Sequence, residues 1–303
     1  MMDVIGVGAL NLDKLYIVEK IARGGEEIPI ISLKESPGGS AANTIAALAR
    51  LGVRVGFIGK IGSDREGELI LKNLKKEGAD VRGIARSEGR TGIILGFVDS
   101  SGERALYVYP GVNDELRINE PNLDYAKKAK FLHLSSFVGE RSYYAQKELL
   151  EKLSSVKISF SPGMLYARKC LKDLKQIIEK SFVIFLNEEE IELITGNEYK
   201  KGVSMMLGLG AKLVVVTLAR KGCFIASSNE SHEIKAYPAK VVDTTGAGDA
   251  FTAGFLYGLL LEKNLKTCGK IGNKIASLCI GKVGAREGLP YKKDLESFIS
   301  SLR

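Results

Sequence analysis

Four cysteines, two histidines and no CxxC pair in 303 residues leave little from which to build a zinc centre. Cys170, Cys223, Cys268 and Cys279 therefore read as buried free thiols. No stretch approaches the ~18 uncharged apolar residues that a membrane span needs, and Asp3 stands where a secretory leader would carry positive charge. A cytoplasmic protein with no membrane partner is expected. The glycine-rich turn at 245–248 is not followed by Lys-Ser/Thr, so the P-loop pattern GxxxxGK[ST] is missing. GVGALNLD has Asn11 where a dinucleotide fingerprint would place its third glycine, which counts against a nicotinamide oxidoreductase. Internal repeats and low-complexity linkers are missing too.

What is present is a 45% hydrophobic chain, long enough for one large domain or two small ones. The formal charge of +8 comes from lysines interleaved with acids, as in LKNLKKEG and CLKDLKQIIEK. That spacing indicates solvated helix faces rather than a polynucleotide groove, so no nucleic-acid partner is expected. Short β-rich runs such as DVIGVGAL, VRVGFIGKIG, SFVIFLNEEE and KLVVVTLARKG alternate with longer amphipathic ones. The alternation predicts an α/β fold, a doubly wound and mainly parallel sheet with helices on both faces. Ligands of such sheets bind beyond the strand carboxyl ends, where GALNLD, FSPG, LNEEE and TLARKG fall. Residues 14–36 and 91–109 break the rhythm and read as strands joined by polar turns, either a small sheet standing off the main one or an ordinary edge hairpin. Helices are predicted at roughly 247–263, 266–281 and 291–301.

Three stretches carry candidate chemistry. In DTTGAGDAF, Thr245-Gly246-Ala247-Gly248 lets the backbone turn tightly into a helix whose N-terminus favours an anion. Asp249 then sits in the first helical turn, where it can take a proton from a hydroxyl attacking a bound phosphoryl group, or simply stabilise the helix start. In PGGSAANTIAALARLG, Gly38 and Gly39 allow close backbone approach, Ser40 can cap the helix, and Asn43 can donate to and accept from a polyol; a packed strand-to-helix turn is the alternative. Asn11 and Asp13 follow a buried strand in the same way. In NEEEIELITG, Asn187 and Glu190 suit water-mediated Mg²⁺ binding or ordinary compensation of the helix dipole.

Taken in order, GALNLD, GGSAAN, NEEE, TLARKG and DTTGAGDAFTAGF resemble the ribokinase-like (PfkB-type) carbohydrate kinases over essentially the whole chain. The resemblance implies a single ribokinase-like domain over residues 1–303, with β-lid segments at about 12–37 and 90–111. It implies an ATP- and Mg²⁺-dependent kinase acting on a hydroxyl of a sugar or sugar derivative, with Asp249 as base and Gly246, Ala247 and Gly248 as the anion hole. Asn11, Asp13, Gly38, Gly39 and Asn43 are similar to the sugar contacts. Asn187 and Glu190 match the element associated with Mg²⁺ and the nucleotide phosphates, while Thr217, Gly222 and Asn273 match nucleotide contacts. Asp243 and Thr245 match positions that shape a monovalent-cation site, with K⁺ as the implied ion. A nucleoside kinase of the same fold is the alternative reading, and a non-catalytic sugar or nucleotide sensor a further one. Lid edge strands predict a homodimer. Ala219 stands where a glycine is common, and Ser161-Pro162-Gly163, Ser135 and Ser136 depart from the ribose-specific pattern.

Overall fold

The computed structural model describes residues 1–101 and 103–302; residue 102, inside the second expected lid segment, lies outside them. Nine strands form the larger sheet, in the spatial order Ser231–Ile234, Cys223–Ser227, Leu213–Thr217, Ser181–Asn187, Lys157–Ser161, Ala129–Ser135, Met2–Val7, Val55–Gly62, Asp80–Ser87. From Leu213–Thr217 to Asp80–Ser87 every neighbouring pair is parallel, and the two remaining strands continue antiparallel. Runs such as VIGV and LVVV are continuously apolar because helices cover both faces of the sheet and bury every residue of these runs.

One core lies between the sheet and helices Ser40–Arg50, Ala247–Leu260 and Leu265–Cys279; the other packs helices such as Glu140–Glu151 and Leu171–Lys180 against the opposite face. Helix Ala247–Leu260 is buried along most of its length, which explains why its sequence is apolar nearly all round. Its Gly254 lies so close to the neighbouring helix that a Cβ would come within 2.8 Å of the Gly272 Cα. The expected C-terminal helices are present as Ala247–Leu260, Leu265–Cys279 and Lys292–Ser301.

The two segments that interrupt the βα rhythm form a separate four-stranded sheet, ordered Ile30–Gly38, Asn11–Val18, Gly92–Val98, Arg104–Tyr109. Each segment is an antiparallel pair, and the two join through the parallel pairing of Asn11–Val18 with Gly92–Val98. One thiol departs from expectation. Cys223, Cys268 and Cys279 are buried, but Cys170 is exposed, because it caps the start of the surface helix Leu171–Lys180. Among the described residues, no helix is long and apolar enough to cross a membrane.

Candidate active site

The loop that enters helix Ala247–Leu260 divides two cavities. Gly246 is the N-cap residue, with φ 76° and ψ 4°, and a Cβ there would meet the Ala285 Cβ at 2.7 Å. Only glycine accepts both the left-handed conformation and that contact. In the first helical turn the N–H groups of Gly248 and Asp249 have no partner within the helix. Ala247 and Gly248 line a cavity of about 840 Å³ on one side. Gly246 and Asp249 line a cavity of about 230 Å³ on the other.

Asp249 is mostly enclosed but opens onto the smaller cavity. Its Oδ1 accepts a hydrogen bond from Ser40 Oγ at 2.7 Å, and its Oδ2 accepts one from Asn43 Nδ2 at 2.9 Å. Burial pushes its carboxyl above the usual range, while those two hydrogen bonds and the charge of Arg286 pull it back. Ser40 is free to serve Asp249 because it does not cap its helix, as the sequence suggested it could. Gly39 takes the N-cap position with φ 101°, and Ser40 becomes the first helical residue.

Asn11, Asp13, Gly39, Asn43, Ser135 and Ser136 also line the smaller cavity. Gly38 stands behind it, where a Cβ would strike the Asp13 carboxylate at 2.3 Å. Asp13 Oδ1 is buried with no hydrogen-bond partner, so a ligand hydroxyl reaching it would relieve an unsatisfied acceptor. Burial pushes the Asp13 carboxyl up to about 7, against the pull of Arg286 and with the help of the Asp249 charge. Asn43 is less available than its sequence position implied, since Asp249 holds its nitrogen and Arg286 Nε donates to its Oδ1 at 2.8 Å.

Asn113 escaped the sequence reading. It fixes Asn11 by donating to its Oδ1 at 2.9 Å, and it accepts from Leu10 N at 2.9 Å. Its one local signal was its position just after the second hairpin. Arg286, in the AREGLP stretch, was likewise unassigned.

The larger cavity brings together Asn187, Thr217, Gly222 and Asn273 with the helix start. Thr217 Oγ1 donates to Leu186 O at 3.3 Å, and Asn273 Nδ2 donates to the carbonyls of Ile234 and Lys235, each at 3.1 Å. Asn187 and Glu190 form a capping box: the Asn187 Oδ1 accepts from Glu190 N at 2.8 Å, and Glu190 Oε2 accepts from Asn187 N at 3.0 Å. Glu190 itself does not line the cavity, and burial raises its carboxyl. Among the described residues there is no cluster of three His, Cys, Asp or Glu that could hold a metal directly. Glu188 and Glu189 do line the cavity, and the Glu190 oxygen left free by the capping box would reach Mg²⁺ only through water, which suits an ion that keeps several waters and takes its other ligands from phosphates.

Asp243 and Thr245 form a hydrogen-bonded turn. Asp243 Oδ1 accepts from Thr245 N at 2.9 Å and Thr245 Oγ1 at 2.7 Å, and its Oδ2 accepts from Gly284 N at 2.8 Å. Three hydrogen bonds thus hold this carboxylate, two at Oδ1 and one at Oδ2. Arg104 of the smaller sheet reaches the same turn, donating to Thr245 Oγ1 at 3.1 Å.

A sheet of this topology, carrying a glycine-rich helix start between two cavities with a carboxylate at the boundary, has the ribokinase-like fold. The family described as pfkB family carbohydrate kinase matches residues 1–292, and the chain belongs to it. An uncharacterized sugar kinase of Archaeoglobus fulgidus is 42% identical over 82% of this chain and 99% of its own length. An ATP-dependent ribose-1-phosphate kinase of Halopiger xanaduensis is 30% identical over 99% of both chains. The ribokinase of Thermotoga maritima superposes with a TM-score of 0.87 at 25% identity, covering 99% of this chain and 100% of the other. The protein is therefore a phosphotransferase of the PfkB carbohydrate kinases.

Proposed function

We propose that this chain transfers the γ-phosphoryl group of ATP to a hydroxyl of an uncharged sugar or sugar derivative bound in the smaller cavity. The observation that carries the reading is the placement of Asp249 on the acceptor side of a helix start whose Ala247 and Gly248 line the donor side. In the step itself, the acceptor hydroxyl gives its proton to Asp249 as its oxygen bonds to the γ-phosphorus, and the bond to the ADP oxygen breaks. Orphan N–H groups of the helix start stabilise the charge on the transferring group. Mg²⁺, held through Glu190 and water, would neutralise the nucleotide phosphates. Asn11 and Asp13 orient the acceptor, while Thr217, Gly222 and Asn273 orient the nucleotide.

Among the described residues, no lysine or arginine lines the acceptor cavity, which favours a neutral acceptor over a sugar phosphate. A nucleoside is the second reading, favoured by the apolar wall of Ile94, Val108, Val138 and Leu165 along one side of that cavity. Val108 and Arg104 belong to one strand of the smaller sheet and meet the site from above, so the sheet acts as a lid on a single domain. The test is a coupled transfer assay with Mg-ATP against hexoses, pentoses, sugar phosphates and nucleosides. Turnover on a neutral sugar supports the first reading, turnover on nucleosides alone the second. Ligand binding without transfer would leave the chain a sensor.

A further inference from the structure

The Arg286 guanidinium is a buried cation that, among the described residues, has no carboxylate at ion-pair distance; Glu287 meets only its backbone N, at 3.1 Å. Arg286 is 6% exposed, in the loop between helices Leu265–Cys279 and Lys292–Ser301. Its Nε donates to Asn43 Oδ1 at 2.8 Å and its Nη1 to Asn73 Oδ1 at 2.5 Å, both neutral amides. Its carbonyl is held by Arg50 Nη1 at 2.6 Å, and Arg50 is itself paired with Glu77. A guanidinium withdrawn from water and left without a direct ion pair is costly, so the compensating charge has to lie nearby. The groups whose fields it shares are first Glu77 after helix Arg65–Lys76, then Asp13 on strand Asn11–Val18 and Asp249 on helix Ala247–Leu260, with the cation Arg50 opposing them. Two of these are the carboxylates of the acceptor cavity.

The connection to Asp249 has a fixed sense. Arginine only donates, so Asn43 must turn its oxygen toward Arg286, and its nitrogen therefore donates to Asp249 Oδ2. A carboxylate oxygen that accepts is the partner this arrangement fits. We propose that Arg286 is a positioning residue for phosphoryl transfer: acting through Asn43 it orients the Asp249 carboxylate, and its charge favours the ionised form of that carboxylate. The inference rests on the kinase reading above. It adds a residue distant in sequence from every glycine-rich motif. The other groups facing Asp249 do not supply a counter-charge: Glu190 is acidic, and burial pushes the Cys279 thiol up to about 12, so it stays neutral.

The experiment compares wild type, Arg286→Gln and Arg286→Lys by kcat and KM from pH 5 to 9. In parallel, the carboxyl carbon of Asp249, assigned by its loss in Asp249→Asn, is titrated by ¹³C NMR without nucleotide or acceptor. In Arg286→Gln, kcat at pH 7 is expected to fall about 10²-fold, with the acid limb and the Asp249 titration moving up by about one pH unit or more. Arg286→Lys should restore the limb but only part of kcat, because an ammonium group cannot span Asn43 and Asn73 together. A purely structural role predicts the opposite for lysine, no recovery, and leaves the titration of Asp249 where it was in both variants. Wild-type activity and an unmoved titration in Arg286→Gln overturn the proposal. Should Arg286→Gln fail to fold, Asn73→Ala frees one anchor and keeps the charge; a several-fold loss of kcat with an unmoved acid limb is expected, and an unchanged kcat overturns the positioning role. Absence of transfer by wild type with every acceptor would refute the kinase reading, while the NMR titration still decides whether Arg286 governs Asp249.

Discussion

Asp13 and Asp249 meet at one cavity, and their electrostatics make opposite demands on folding and on function. A carboxyl held near 7 in the folded chain and near the ordinary ~4 when unfolded binds its proton more tightly in the fold. Its stabilising contribution is therefore complete below about pH 4 and is lost as the pH rises through about 7. Asp13→Asn keeps the shape without the charge, so it should raise the melting temperature over wild type at pH 8 and much less at pH 4, while weakening acceptor binding. A variant less stable than wild type at pH 8 would contradict this. Neither this relationship nor the commitment of Asn43 was legible in the sequence. Asn43 reads locally as a free polyol contact, but the partner that claims its oxygen is 243 residues away and the one that claims its nitrogen 206. The placement of Gly246 and Asp249 in one helix start, by contrast, was legible because it is set by adjacent residues.

At the scale of elements, the βα alternation and the last three helices were readable because burial on both faces writes continuous apolar runs into strands, while the helices show either amphipathic periods or, in the enclosed Ala247–Leu260, a long apolar segment. The turn at TLARKG shows what pattern alone leaves open. Ala219 stands where a glycine was expected, and it adopts φ 48°, a left-handed conformation that costs an L-residue about 1 kcal/mol. It lines the nucleotide-sized cavity. Ala219→Gly should relieve that cost and stabilise the fold by about 0.5–1 kcal/mol in chemical denaturation, without loss of nucleotide binding. Destabilisation would mean that the alanine methyl packs better than the backbone suffers. The NEEE helix start is a second case. Its sequence left the partners of Asn187 and Glu190 open; the two form a capping box with each other, and Asn187 also lines the larger cavity.

At the scale of the molecule, the smaller sheet has two different faces. Arg104 and Val108 turn toward the site, whereas Leu33, Tyr16, Phe97 and Tyr107 follow one another across the outer face, with Tyr16 stacked on Phe97 at 5.3 Å. Leu33 is 50% exposed and Tyr107 62%, a row of apolar groups that a second copy of the sheet would cover. Light scattering on the sized protein should give about twice the 32.8 kDa chain mass. A clean monomer would reject the proposed homodimer. The sheet itself was legible as two hairpins; its outer row was not, because it depends on which strands become neighbours. What joins the lid, both cavities and the helix start into one machine is the proton that Asp249 is proposed to accept. The most direct measurement is therefore transfer and ATP affinity in Asp249→Asn, on whichever acceptor wild type turns over. A fall in kcat of at least about 10²-fold with ATP affinity within a few-fold of wild type is the expected result. Turnover within a few-fold of wild type would contradict a base at Asp249.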